Sequence, residues 1–266
     1  MKKVISIVML LLAIFALAVV FYLKNRADTE LSPEVNDNSY TATVSDTSAT
    51  QTVTESTTQA VSEGGDTIEI LPASVEIAIS EQDFLMTLVN RKYRMPDGYP
   101  LDLAPCIPGG DIELEARAAE WYTNMYNAAK ADGITLTPYS GYRRYSTQKR
   151  NYENKTQYYL DQGYSQQEAL TLAARIIMPP GSSEHNLGLA MDICGTDYDF
   201  DQTKEFKWLS ANAEAYGFIL RYPKEKQHIT KVVYEPWHWR YVGVENAKRI
   251  NASGLCLEEY LGRDAG

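Results

Sequence analysis

Hydrophobic residues follow three successive patterns along this chain of 266 residues. Residues 4–23 form a nearly unbroken apolar run, residues 27–79 are rich in Ser, Thr, Asp and Glu, and residues 80–262 alternate between helical and strand-like periodicity. At about 1.5 Å of rise per residue, the apolar run spans about 30 Å, the thickness of a bilayer core. The pattern predicts a membrane-spanning signal anchor over residues 1–26, a disordered stalk over 27–79 and a folded domain over 80–262.

The anchor is expected to remain uncleaved. A cleaved signal peptide has a shorter apolar core that is followed directly by a small-residue cleavage site. The segment Ala16–Ala18 resembles such a site, but five further apolar residues follow it. Cations flank the run on both sides, so their number does not decide its orientation. We expect a single-pass protein of the cell membrane, with its amino terminus in the cytoplasm and its folded domain outside.

The negative charge of the chain is concentrated in the stalk. The formal net charge is −10, and twelve acidic residues but no Lys or Arg lie between Arg26 and Arg91. A segment of this composition buries too little apolar surface to offset the entropic cost of ordering. The remaining domain is close to neutral, which gives no basis for nucleic-acid binding.

Residues 80–262 combine helical segments with shorter strand-like ones. A capping-box sequence at Ser165 marks one helix start, and Gly133, Gly163 and Gly217 mark helix ends. Predicted helices cover 84–89, 114–129, 146–163, 166–178, 203–216, 244–251 and 257–261; predicted strands cover 135–139, 186–194, 218–222, 232–234 and 237–242, with a further short edge strand within 68–79. This mixture predicts an α+β domain with a small, mainly antiparallel sheet and flanking helices.

Two of the three histidines lie in short segments that each contain a carboxylate. His185 precedes a strand-like stretch in which Gly188, Ala190 and Asp192 alternate with larger apolar residues. A strand face that carries only Gly and Ala beside a carboxylate leaves room for an ion and a ligand. The spacing therefore makes His185 and Asp192 candidate metal ligands.

The second segment repeats this arrangement at Glu235 and His238. Pro236 cannot donate a ladder hydrogen bond, so it is expected at a strand start, with Glu235 in the preceding turn. One aspartate and two histidines leave one of four tetrahedral positions for water, as in a catalytic zinc site. A nearby glutamate can then accept and return the proton of that water. Neither segment alone separates a ligand from a structural histidine, but together they indicate metal-assisted hydrolysis.

These segments resemble the VanY-type D-alanyl-D-alanine carboxypeptidases, zinc peptidases of the cell wall. The residues that carry the resemblance are Ser183-x-His185-x-x-Gly188-x-Ala190-x-Asp192, the run Glu235–Gly243, the run Ser140–Arg143 with Gln148, and more loosely Leu88–Asn90 with Pro96 and Tyr99. The run that ends at Gly243 is the most specific of them. The resemblance covers about residues 84–245 and implies the Hedgehog/D-Ala-D-Ala-peptidase fold.

The resemblance also implies roles for individual residues. The zinc ligands would be His185, Asp192 and His238, and the catalytic residues Glu235, as the base, and Arg143, which helps to stabilise the developing oxyanion. The substrate-contacting residues would be Arg143, Gln148 and Ser183. The implied activity is zinc-dependent removal of the C-terminal D-alanine from peptidoglycan stem peptides at the outer face of the membrane. An L,D-carboxypeptidase that trims tetrapeptide stems, a peptidoglycan endopeptidase and a non-catalytic wall-binding module stay open as alternatives.

The three cysteines and the third histidine, His228, show no pattern that indicates a further metal site. Cys106, Cys194 and Cys256 show no Cys-x-x-Cys spacing, so neither a zinc knuckle nor a redox pair is indicated. A disulfide between Cys106 and Cys256 stays open, as does a thiolate ligand from Cys194. His228 lies among polar residues and is expected to be an exposed bystander.

Overall fold

The computed structural model describes residues 71–265. The predicted membrane helix and most of the predicted stalk lie outside the described residues, and no helix within them is long and apolar enough to cross a bilayer. The strands are β1 (Val75–Glu76), β2 (Tyr93–Arg94), β3 (Leu103–Pro105), β4 (Glu113–Glu115), β5 (Pro138–Ser140), β6 (Ala190–Ile193), β7 (Phe218–Leu220) and β8 (His238–Tyr241). The α-helices are α1 (Ala116–Ala131), α2 (Tyr145–Leu160), α3 (Gln166–Ala173), α4 (Lys204–Asn212), α5 (Gln227–Thr230), α6 (Val244–Ser253) and α7 (Leu257–Tyr260).

The main sheet has four antiparallel strands in the order β5-β6-β8-β7. Its central strands, β6 and β8, are buried along their whole length. A parallel pair, β1 with β2, and an antiparallel pair, β3 with β4, form two smaller sheets. The prediction of a mixed α+β domain with a small, mainly antiparallel sheet is confirmed.

The core lies between this sheet and α1. The buried face of α1 repeats at helical spacing and includes Tyr122 and Met125, and the Tyr122 ring meets Phe218 of β7 edge-on at 6.1 Å. On β6 and β8, Met191 and Trp239 are paired in register and belong to the same core. Because side chains alternate along a strand, their neighbours Asp192 and His238 point to the opposite face.

Helix boundaries are set by local hydrogen bonds. The Glu115 carboxylate caps α1 by accepting from the backbone N–H groups of Arg117 and Ala118. The helix begins no earlier because residues 113–115 pair with β3. The capping box predicted at Ser165 is confirmed at the start of α3, where Ser165 and Glu168 satisfy each other's backbone N–H groups.

Several predicted elements are wrong in extent. The helix expected over 166–178 ends at Ala173, and the strand expected over 186–194 covers only Ala190–Ile193. The helix expected over 84–89 is a single 3-10 turn, Phe84–Met86, and the helix expected over 203–216 ends at Asn212 and continues as a 3-10 turn. Residues 232–234 form no strand, because the Val233 N–H donates to the Arg175 carbonyl and the Tyr234 N–H donates to the Gln227 side chain. Backbone groups bonded in this way are not available for a sheet ladder.

Candidate active site

Three strands place polar side chains in one row across the sheet. Ser140 of β5 is paired with Asp192 of β6, and Asp192 is paired with His238 of β8. Directly paired residues point to the same side of a sheet, so these three side chains meet on one face. His185 lies in the 3-10 turn Glu184–Leu187, which ends just before β6.

The row brings the predicted ligands within contact distance of one another. His185 Nε2 lies 3.3 Å from Asp192 Oδ2, and His238 Nδ1 lies 3.1 Å from Asp192 Oδ1. One ligand atom from each of the three residues lies within 4.8 Å of the others, and all three residues are buried. Nitrogen and oxygen ligands at about 2.0–2.1 Å from a tetrahedral zinc are about 3.3 Å apart, so the set fits this ion.

Each histidine ring is oriented by a hydrogen bond at its other nitrogen. His185 Nδ1 lies 2.7 Å from the Gly141 carbonyl, which can only accept, so Nδ1 donates and Nε2 faces Asp192. His238 Nε2 lies 3.4 Å from Glu184 Oε2, which leaves Nδ1 directed at Asp192. Partners of this kind set the tautomer and the ring orientation of metal-binding histidines.

Glu235 lies in the turn before β8, beside the same ring. Its Oε2 is 3.6 Å from His238 Nδ1, and its side chain is nearly buried. Burial, together with the nearby Asp192 carboxylate, raises the pKa of Glu235 to about 8, although His238 acts in the opposite direction. A carboxyl group with a pKa near neutrality can both accept and return a proton, which is what a general base in hydrolysis must do.

Burial alone lowers the pKa of His238, but hydrogen bonds to Asp192 and Glu184 raise it to about 9. For Asp192 the balance is reversed. Burial disfavours its charged form, yet contact with both histidines holds the pKa of Asp192 well below its usual range. Asp192 is therefore an anionic group at the centre of the cluster.

Arg143 follows β5 and reaches toward the cluster. Its Nη2 lies 4.0 Å from Asp192 Oδ2 and donates to Ser140 Oγ at 2.9 Å. Its Nη1 donates to Gln148 Oε1 at 2.9 Å, and Gln148 Nε2 donates to the Met178 carbonyl. Gln148 thus holds the guanidinium group, whose side chain is 22% exposed.

Asn186 links the backbone at Arg143 to the turn Pro179–Gly181, which precedes His185. Its amide donates to the Arg143 carbonyl at 2.7 Å, and its carbonyl oxygen accepts from the Gly181 N–H at 3.0 Å. The Arg143 N–H also donates to the His185 carbonyl. These bonds connect the candidate ligand His185 and Arg143 through the backbone, and sequence reasoning did not single out Asn186.

A buried ion network behind His238 was also missed. Glu184 Oε1 lies 2.7 Å from Arg221 Nε and 2.9 Å from Arg240 Nη1, and Arg221 also contacts both carboxylate oxygens of Glu258. Burial disfavours the Glu184 anion, but the two arginines hold its pKa well below the usual range. The only sequence signal was a carboxylate next to His185, because both arginines and Glu258 are distant along the chain.

The predicted site residues surround one cavity of about 310 Å³. Its lining includes all seven of them, namely Arg143, Gln148, Ser183, His185, Asp192, Glu235 and His238, and also Tyr198, Tyr222 and Trp237. The exposed Tyr198 ring lies 5.0 Å from Trp237 at the rim, and the Tyr222 ring lies 4.9 Å from His238. The arrangement can hold a metal ion, a water molecule and the polar end of a substrate.

Gly188 does not have the role that the strand pattern suggested. It ends the 3-10 turn with φ +67°, and an added Cβ would lie 2.8 Å from the Glu115 backbone nitrogen. The residue is required for a left-handed turn and a close backbone contact, and the open space beside Asp192 does not depend on it.

The other candidates lie outside the cluster. Cys194, Cys106 and Cys256 are free thiols, and Cys194 Sγ is directed at the Thr135 carbonyl. His228 is exposed on the short helix α5, as expected of a bystander.

Comparison with known proteins gives consistent matches. Residues 111–244 match the family model VanY, D-alanyl-D-alanine carboxypeptidase. The D-alanyl-D-alanine carboxypeptidase of Enterococcus faecalis is 39% identical over 181 residues, which cover 68% of this chain and 67% of that protein.

Three solved structures share the fold. The vancomycin resistance D,D-pentapeptidase VanY, solved as a variant with Zn(II), is 38% identical with a TM-score of 0.58 over 67% of this chain and 99% of its own. The structure of VanYB in complex with D-alanine-D-alanine has the same identity and TM-score, and the match covers 67% of this chain and 98% of VanYB. The LD-carboxypeptidase LdcB is 35% identical with a TM-score of 0.61, and the match covers 73% of this chain and 94% of LdcB.

Proposed function

Because the chain belongs to the VanY family of D-alanyl-D-alanine carboxypeptidases, we propose that it removes the C-terminal D-alanine from peptidoglycan stem peptides. The supporting observation is that Glu235 and Arg143 border the same cavity as the buried triad His185, Asp192 and His238. The triad fits the zinc ion that a related VanY structure contains.

The residues divide the reaction between them. Zinc in such a site acts as a Lewis acid toward a carbonyl and lowers the pKa of bound water. Glu235 accepts the proton of the attacking water and returns it to the departing D-alanine amine. Arg143, held by Gln148 and Ser140, is close enough to the triad to bind an anionic oxygen of the substrate, and Ser183 offers a polar group to the substrate's end.

The second candidate is an L,D-carboxypeptidase that trims tetrapeptide stems. The similarity to LdcB, which is described as an LD-carboxypeptidase, favours it. Both activities use the same hydrolytic chemistry at a C-terminal D-alanine, so the stereochemistry and length of the accepted stem distinguish them.

Mass spectrometry of two stem peptides separates these candidates. The zinc-loaded full-length protein is incubated with a pentapeptide that ends in D-Ala-D-Ala and with the matching tetrapeptide, with and without a chelator. Loss of one D-alanine from the pentapeptide alone, abolished by chelation and restored by zinc, supports the D,D activity. Trimming of the tetrapeptide alone moves the assignment to L,D. If neither peptide is cleaved, the remaining candidate functions are an endopeptidase and a wall-binding module.

Replacement of Glu235 tests the catalytic base. Glu235→Ala should retain zinc, since the proposed ligands are untouched, and should lose nearly all turnover of the accepted peptide. Near-normal turnover by this variant would refute the role of Glu235.

We also propose that the domain acts outside the cytoplasmic membrane, held by the apolar run 4–23 through the acidic stalk 27–79. The supporting observation is the length of the run, which is sufficient to span a bilayer. A protease added to intact spheroplasts should release or digest the domain. Protection until the membrane is permeabilised would place it in the cytoplasm.

A further inference from the structure

Three tyrosines form an exposed aromatic patch at the carboxyl-terminal end of α2. Tyr159 is central, with its ring centroid 5.3 Å from Tyr158 and 5.8 Å from Tyr164, both nearly edge-on. Tyr158 and Tyr164 are 54% and 40% exposed. Single exposed aromatic residues are common on protein surfaces, whereas a contiguous cluster, here two outer rings that both contact Tyr159, indicates an interaction surface. We call Tyr158, Tyr159 and Tyr164 the tyrosine patch.

The patch is held in place by its own contacts. Lys155 Nζ lies 4.5 Å from the Tyr158 ring centroid and 5.3 Å from that of Tyr159. Rings ordered in this way lose little conformational freedom when a ligand stacks on them. The patch is also amphipathic, because each ring offers an apolar face and a hydroxyl.

The patch is continuous with the proposed active site. Asn151 of α2 lines the cavity, and Tyr158 lies seven residues further, on the same helix face and about 10 Å along the axis. Tyr159 packs against the same small buried cluster as Ile177, which also lines the cavity. The helix surface thus leads from the cavity to the patch.

The patch lies about 10 Å along α2 from Asn151, and the proposed substrate is long enough to extend beyond the cavity lining. With the terminal D-alanine at the metal site, the four preceding residues of an extended pentapeptide span about 13 Å. The amino end of a stem peptide is attached to an amino sugar of the glycan strand, a neutral ring with apolar C–H faces and polar edges. Aromatic rings with hydroxyl groups suit such a ligand, and the patch lies on the helix that also lines the cavity.

We propose that the tyrosine patch binds the amino sugar that carries the stem peptide, so that the enzyme prefers stems attached to glycan over free peptides. This inference rests on the proposed function, whose cavity accepts the carboxyl end of the stem.

The test compares a free pentapeptide with the same pentapeptide on a disaccharide, using zinc-loaded full-length protein. We expect the disaccharide to raise kcat/KM several-fold, mainly through KM. Tyr158→Ala and Tyr164→Ala should each remove about fivefold of kcat/KM for the disaccharide substrate and leave the free pentapeptide unchanged. Tyr158→Phe, which keeps the ring, should retain most of the preference. Tyr139→Ala is the matched control, since Tyr139 is 58% exposed on the edge strand β5.

Calorimetric binding of both ligands to the Glu235→Ala variant, with and without Tyr158→Ala, gives a second readout that needs no turnover. Tighter binding of the disaccharide ligand, lost with Tyr158→Ala, supports the inference even if the assigned reaction proves wrong. Equal affinity for the two ligands, or equal loss of both in the tyrosine variants, overturns it. Cleavage of the free pentapeptide without any effect of the sugar would refute the patch alone and leave the proposed function standing.

Discussion

Replacement of Glu184 by Gln should weaken zinc binding through His238. The Glu184 carboxylate is fully buried, accepts from His238 Nε2 at 3.4 Å and neutralises Arg221 and Arg240. Gln keeps the shape of the side chain but removes its charge. The His238 ring then loses an anionic partner, and the two arginines lose a counter-ion.

Two magnitudes follow from these contacts. Breaking a buried ion pair from one side costs about 3–5 kcal/mol. The lower value applies here because Arg221 keeps Glu258, while Arg240 keeps the carbonyls of Leu85 and Thr87. For a domain of this size, a loss of about 3 kcal/mol lowers Tm by about 6–12 °C. Loss of a group that orients a metal-binding histidine costs about 10–100-fold in metal affinity.

The assay separates these effects by means of a matched variant. Glu258→Gln removes another buried carboxylate from the same Arg221, but Glu258 has no contact with His238 among the described residues. Urea unfolding of the chelator-treated proteins measures stability, and competition with a chromophoric chelator measures zinc affinity. Both variants should lose stability, and only Glu184→Gln should lose 10–100-fold in zinc affinity.

Two results would refute this reasoning. If both variants lost zinc affinity equally, the loss would reflect general destabilisation of the domain. If Glu184→Gln bound zinc like the original protein, the hydrogen bond between Glu184 and His238 Nε2 would have no influence on zinc affinity.

Three further changes probe other parts of the site. Arg143→Lys keeps the charge but loses the planar group that Gln148 and Ser140 hold, so kcat/KM should fall about 10–100-fold with zinc affinity unchanged; an equal loss of zinc would contradict a role at the substrate. Gly188→Ala should lower stability by about 1–3 kcal/mol in urea unfolding, because the residue has φ +67° and its Cβ would meet backbone; unchanged stability would show that the turn relaxes. Since the pKa of His238 is about 9, zinc binding to chelator-treated protein at pH 7–8 should release its proton and strengthen as pH rises toward 9; calorimetry in buffers of different ionisation enthalpy that detects no release would refute that protonation.

The sequence predicted the residue types of the site better than their surroundings. His185 and Asp192 are seven positions apart, so a turn followed by a strand was enough to bring them together. His238 is 46 positions beyond Asp192, and their contact depends on the register of β6 against β8, which periodicity alone does not specify. The family resemblance supplied this pairing in advance.

Local sequence signals predicted an element well where the element depends only on neighbouring residues. The capping box at Ser165 acts within four residues, and α3 begins there as expected. The segment 232–234 has strand-like residues, but its N–H groups bond to Arg175 and Gln227, so no strand forms. The second outcome depends on partners that a short window of sequence does not contain.

The sequence by itself determined the class of the domain, the presence of two segments with candidate metal ligands and the chemistry that His, Asp and Glu can perform. Only the tertiary structure decided how these groups are charged and oriented. Gly141, Glu184 and the two arginines behind it come from distant parts of the chain, and their effects on His185 and His238 require contact and burial. Electrostatic interactions become strong only where folding excludes water, and for that reason the ion network behind His238 could not be predicted from sequence.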